Sequence, residues 1–187
     1  VVLALGAVGL VVLGVTRLRH EDSVLVLGDS MAYLAAGPLE ARGHDHHYDV
    51  TVSAEAGIPL SARLDALKQI AASGVDRLVV ELGTNDVLQG ASPPTIDALI
   101  DQATILVGGV SCVVFVNVGI LADGDPAAHF NEHLTADVAL HPNQHVYDWA
   151  SDYRAHPERT ADGIHVQEQY RNDYATGVIG AVSQACD

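Results

Sequence analysis

The chain has 187 residues, which suits one domain with a hydrophobic core of its own. Apolar residues make up 49% and charged residues 18%, a globular composition with a slight apolar surplus. The formal charge is -15, from 24 acidic against 9 basic side chains, which argues against nucleic acid as a partner and against dense polyanions as substrates; neutral esters remain open.

Much of the apolar surplus lies in VVLALGAVGLVVLGV, residues 1–15, an uncharged run followed by Arg17 and Arg19. A spanning helix needs about 20 apolar residues, so the run is short, but it begins at valine and an upstream segment is expected. No small-x-small cleavage pattern follows it, and no polar face interrupts it. Residues 1–16 are therefore read as a membrane anchor or signal-type segment, with 17–23 as a short tether and 24–187 as the folded domain. Arg17 and Arg19 favour a cytoplasmic position for that domain. The cysteines point the other way.

Beyond Ser23, strands and helices alternate. Val24 to Leu27 reads as a first strand and Met31 to Ala41 as a helix; Tyr48 to Ser53 is a second strand. Leu60, Leu64, Leu67 and Ala71 recur at helical spacing, and Arg77 to Leu82 is a third strand. Ser92-Pro93 marks a helix start, with serine as cap and Ile96, Leu99, Ile100, Ala103 and Leu106 on one face. Cys112 to Val118 is a strand apolar enough to be buried on both faces. A helix over Ala127 to Leu140, a strand over Val146 to Trp149, and a last helix carrying Tyr170, Tyr174, Val178 and Ala181 follow. The alternation implies a three-layer α/β domain around a parallel sheet of about five strands.

Ligands bind such sheets at the carboxyl edge, just beyond the strand ends. Four segments should converge there: Asp29-Ser30, Gly57, Gly83-Thr84-Asn85-Asp86, and Asp162 with His165. Ester cleavage by serine needs an activated hydroxyl, a base, and donors for the developing oxyanion. Ser30 lies in a strand-to-helix turn where its own N–H can face the reacting oxygen. Asn85 offers a neutral amide, and Gly57 a backbone N–H without a side chain in the way. A comparable oxyanion donor is worth roughly 3 kcal/mol of barrier. In Asp162-Gly163-Ile164-His165 the carboxylate can accept the imidazole Nδ1–H, leaving Nε2 for the Ser30 proton.

VLVLGDSMA, AEAGIPL, ELGTND and ADGIHV, in this order, resemble the four conserved blocks of the SGNH or GDSL hydrolases, over Val24 to the C-terminus. The resemblance implies a flavodoxin-like α/β/α sandwich and an acyl-enzyme on Ser30. It implies His165 as base with Asp162 as its partner, an oxyanion hole of Ser30, Gly57 and Asn85, and no metal or other cofactor. The chain departs from the pattern in Met31, where the family name has leucine. It also lacks the proline and glycine that many relatives carry after the histidine, reading VQEQYR instead. The G-x-S-x-G elbow of α/β-hydrolases is absent at residues 28–32.

These features predict a serine esterase acting on short-acyl or carbohydrate-linked esters. VFVNVGI, Phe130-Asn131 and HVYDW also resemble cell-envelope O-acyltransferases, whose acyl-enzyme would serve a glycan hydroxyl in place of water. A third reading is a non-catalytic binding domain of this fold. His44, His46 and His47 with Asp45 could ligate a metal, but they precede a strand at the opposite edge and read as a solvated turn. Cys112 opens a strand and Cys186 ends the last helix, both at the amino edge, so they can meet. A bridge would add about 4 kcal/mol and place the domain outside the cytoplasm, anchored or secreted; two buried thiols are the alternative. Trp149 fits either the site or the core, and Asn117 either substrate contact or local capping.

Overall fold

A computed structural model describes residues 23–122 and 125–186. The apolar segment 1–16 and tether residues 17–22 lie outside the described residues, while Ser23 opens the first strand. Among the described residues, no helix is long and apolar enough to cross a membrane.

Five parallel strands form one sheet: β1 (Ser23–Gly28), β2 (Asp49–Ala54), β3 (Arg77–Glu81), β4 (Cys112–Val116) and β5 (Gln144–Tyr147). Their spatial order is β2-β1-β3-β4-β5. The chain moves outward from β1 to β2 and then crosses back to β3, so β1 and β3 flank the point where the order reverses. Open α/β sheets form their binding crevices there.

Alternate strand residues feed two cores. Val24 and Val26 of β1, Val79 of β3, and Val114 and Val116 of β4 pack on one face. That face is covered by α1 (Ser30–Leu34), α2 (Ala36–Asp45), α7 (Trp149–Ala155) and α8 (Arg171–Cys186). Leu27, Leu78, Val80, Val113 and Phe115 face the other way, towards α3 (Leu64–Ser73), α5 (Pro93–Leu106) and α6 (Ala128–Val138). Every residue of β4 is buried, as its unbroken apolar run requires. Leu39 of α2 and Leu67 of α3 are fully buried, and truncating either to alanine costs about 2–5 kcal/mol.

Several boundaries differ from the sequence reading. The expected helix from Met31 to Ala41 is two helices broken at Ala35. In an unbroken helix Pro38 would supply no N–H and would crowd the carbonyl of Leu34; the break puts it in the first turn of α2, where proline is tolerated. Leu60 lies in a separate 3-10 turn, Leu60–Ala62, ahead of α3. Pro93 does begin α5, but the Ser92 hydroxyl pairs with the Thr95 hydroxyl at 2.8 Å and makes no cap bond to the backbone. β5 starts earlier than expected and ends at Tyr147. Asp148 then accepts the Ser151 N–H at 3.1 Å and begins α7, so Trp149 is helical. Tyr170 lies in a 3-10 turn before α8.

Cys112 and Cys186 form a disulfide at the amino edge, with Cα atoms 5.7 Å apart, clasping the last helix to the start of β4.

Candidate active site

Ser30 opens α1 directly beyond β1 and is 8% exposed. Three backbone N–H groups hold this turn in place. Met31 donates to Asp29 Oδ1 at 3.0 Å, capping the helix. Asp29 and Ala32 both donate to Glu81 Oε2 at 3.1 Å. Gly28 lets the turn close this tightly: a Cβ there would lie 2.3 Å from the Ala32 Cβ and 2.8 Å from Glu81 Oε2.

The histidine arrives on a loop fastened at several points. Thr160 and Val166 form an antiparallel bridge, and Gln167 donates its N–H to the Arg159 carbonyl at 2.8 Å. The Arg159 guanidinium pairs with Asp152 of α7 at 2.8 Å and with Asp173 of α8 at 3.7 Å. The Leu121 N–H, beyond β4, donates to the Gly163 carbonyl at 2.8 Å. Within the loop, Asp162 Oδ1 accepts the N–H groups of Ile164 at 2.9 Å and His165 at 2.8 Å.

That loop aligns the relay expected from the sequence. Asp162 Oδ2 lies 2.7 Å from His165 Nδ1, and His165 Nε2 lies 3.0 Å from Ser30 Oγ. With Nδ1–H donating to the carboxylate, Nε2 presents its lone pair and the serine hydroxyl donates to it. Burial pushes the Asp162 carboxyl up, but hydrogen bonds from the His165 ring and from backbone N–H groups outweigh it and hold the group well below the usual carboxylate range. Asp162 is ionised at neutral pH and fixes the imidazole tautomer.

Asn85 stands in the first turn of α4 (Thr84–Leu88), beyond β3, where the apolar-period reading had no helix. Its Nδ2 donates to Asp29 Oδ2 and to the Ile58 carbonyl, both at 3.1 Å. Gly57 is exposed on the adjoining loop, in a turn closed by the Ile58 N–H to the Glu55 carbonyl at 3.4 Å. Its φ of 79° lies in the left-handed region that glycine tolerates best. Asp86 ties that loop to α4, accepting the Leu60 N–H at 2.6 Å and the Ser61 N–H at 3.2 Å.

Sequence reasoning gave no role to Asp86 or Glu81. Asp86 stood in the quoted GTND block, and Glu81 is a carboxylate at the end of a strand otherwise read as apolar. Of the residues with two readings, Trp149 is core: it is 3% exposed and its ring lies 4.8 Å from Tyr153 and 4.9 Å from Tyr174. Asn117 is a local cap, donating to Asp148 at 2.8 Å and accepting the Ala150 N–H at 2.8 Å. His44, His46 and His47 are exposed, with the His46 ring stacked on Tyr48. Among the described residues, no group of three or more His, Cys, Asp or Glu side chains is arranged to hold a metal ion. A cleft of about 650 Å³ lies beside the ends of β4 and β5, lined by Asn117, Asn131, Glu132, Asp148 and Arg154 among others, and none of Ser30, Asp162 or His165 lines it.

No protein-family profile matches the chain, and no curated protein matches it in sequence. Solved structures do. The C-terminal catalytic domain of peptidoglycan O-acetyltransferase A from Streptococcus pneumoniae superposes with a TM-score of 0.72 at 16% identity, over 88% of this chain and 94% of that one. A lipolytic protein of the G-D-S-L family from Veillonella parvula gives 0.69 at 19%, over 87% and 98%. The acetylxylan esterase Axe2 from Geobacillus stearothermophilus gives 0.69 at 11%, over 89% and 94%. The chain has the fold of the SGNH/GDSL hydrolases, as the sequence blocks implied.

Proposed function

We propose that this chain is a serine-dependent hydrolase of short-acyl or carbohydrate-linked carboxylic esters. The observation that carries the reading is the relay Asp162–His165–Ser30, with contacts of 2.7 and 3.0 Å. Ser30 Oγ attacks the ester carbonyl carbon while His165 Nε2 takes the hydroxyl proton. The carbonyl π electrons move to oxygen, then return as the C–O bond to the alcohol breaks, and the alcohol leaves with the proton from His165. Water, deprotonated by the same imidazole, then releases the acid and restores Ser30.

The Ser30 N–H, the Gly57 N–H and the Asn85 amide are assigned to the oxyanion. Asn85 spends both amide protons internally, so this role requires it to exchange the Ile58 carbonyl for the substrate oxygen. The Cys112–Cys186 bridge supports an oxidising, extracytoplasmic location, and residues 1–16 are assigned to membrane attachment.

Likeness to a peptidoglycan O-acetyltransferase domain favours a second reading, transfer of the acyl group to a glycan hydroxyl. Both readings share the acyl-enzyme and differ in the acceptor. Turnover of a chromogenic acetyl ester by the purified chain, with product analysis in the presence and absence of glycan acceptors, tests them. Free acetate with and without acceptor supports the hydrolase, and acetylated glycan the transferase. Ser30→Ala and His165→Ala should each lose about 10³-fold or more in kcat while melting as cooperatively as the parent. Equal turnover by Ser30→Ala would remove the serine mechanism.

A further inference from the structure

Directly beneath the nucleophile turn lie two carboxyl groups that no step of the acyl-enzyme cycle consumes. Asp29 is fully buried and Glu81 is 5% exposed, and Glu81 Oε2 accepts the Asp29 N–H at 3.1 Å, which sets the two side chains beside each other. Two carboxylates that close in an apolar site cannot both stay ionised, so one retains a proton.

The donors around them decide which one. Asp29 Oδ1 accepts the Met31 N–H and Oδ2 accepts the Asn85 amide, so both oxygens are served by donors that require an acceptor. Burial raises the Asp29 carboxyl as well, but the Met31 N–H, the Glu81 side chain, a protonated His165 ring and the Thr84 hydroxyl each favour its ionised form. Glu81 takes the N–H groups of Asp29 and Ala32 on Oε2 alone, which leaves Oε1 to carry a proton towards Asp29. Burial, and then the Asp29 charge, push the Glu81 carboxyl well above the usual range; the Tyr174 hydroxyl, brought in by α8, is raised by the same surroundings. Tyr174 and, beyond Asp29, His165 are the titratable groups facing the pair.

We propose that Glu81 is a neutral acid that donates its proton to the Asp29 carboxylate, and that this single-charge pair positions Ser30 and Asn85 for acyl transfer. The role rests on the hydrolase reading above, and neither residue is catalytic. Glu81 pins the turn through Asp29 and Ala32, while Asp29 holds Asn85 and places one negative charge near the imidazole that must become positive. Doubling that charge would set two buried carboxylates against each other beneath the turn; removing it would free Asn85.

The sign of the pH effect follows. Because Glu81 stays protonated in the fold above its unfolded pKa of about 4.3, the native state binds the extra proton and its stability falls as pH rises through that window. Glu81→Gln keeps an acceptor for both N–H groups and a donor for Asp29 without binding a proton.

Thermal melting of Glu81→Gln in a Ser30→Ala background, from pH 5 to pH 9, tests the proton. The expected result is a Tm gain over the Ser30→Ala parent that grows with pH. A pH-independent difference, or a loss that grows with pH, overturns the assignment. On the active chain, Glu81→Leu should lower kcat about tenfold or more with KM within about twofold, and Glu81→Gln should restore most of that loss. A glutamine variant as impaired as the leucine one overturns the positioning role. A parent chain without ester turnover is the separate failure of the hydrolase reading, and the melting comparison still decides the proton.

Discussion

Asp162 is held by its own loop: the carboxylate accepts N–H groups from Ile164 and His165 and faces the imidazole, while its side chain remains 53% exposed. A carboxyl depressed in this way stabilises the fold above its unfolded pKa of about 3.9, and that contribution is lost as pH falls through the lower native value. Asp162→Asn should therefore melt below the parent by a margin that is constant from about pH 5 to pH 8 and closes in stronger acid. Its turnover should fall about 10²- to 10⁴-fold, because the amide no longer selects the Nδ1–H tautomer; urea or thermal melts beside ester assays check both. The meeting of Ser30, His165 and Asp162 was legible because turn chemistry and reactive side chains coincide in short blocks after strands. Glu81 and Asp29 were not legible as a pair. Their meeting depends on β3 lying beside β1, which local periodicity does not encode.

Among the elements, the turn between β1 and α1 is the one with least room. Gly28→Ala places a methyl group against Ala32 and Glu81, neither of which can retreat from a buried sheet end. We expect a loss of about 1–3 kcal/mol and a larger proportional loss of kcat than any change in KM, read by chemical denaturation and ester kinetics. Element type was legible wherever a periodic face was long: all five strands and the helices α3, α5, α6 and α8 stand close to where the apolar pattern put them. The helices α4 and α7 were missed because five and seven residues are too few to display a helical period. The break between α1 and α2 was written in Pro38, but a proline near a helix start reads equally well as a kink or a new first turn. Asp148 shows the same ambiguity, since an aspartate after a strand is both a strand end and a helix cap.

Across the whole molecule, the catalytic edge and the clasp of the last helix lie at opposite ends of the sheet. The Cys112–Cys186 bridge spans 74 residues and pins α8, whose residues Tyr174, Val178 and Val182 cover one face of the sheet. Cys186→Ser should lower stability by about 4 kcal/mol in the chain-entropy account, while ester turnover well below the melting temperature stays near that of the parent; melts with and without reductant measure it. The bridge was legible because a helix that returns antiparallel to its strand ends at the amino edge. The order β2-β1-β3-β4-β5 agrees with the flavodoxin-like sandwich that the motif blocks implied, whereas the strand-helix alternation alone fits several orders. Under the proposed function this organisation serves one event, the attack of a single hydroxyl on a carbonyl. Reaction with a fluorophosphonate, followed by peptide mass mapping, reads that event directly. One adduct per chain on Ser30, strongly slowed in His165→Ala, is the expected outcome; an unlabelled Ser30 in folded protein, or equal labelling without His165, would contradict the account.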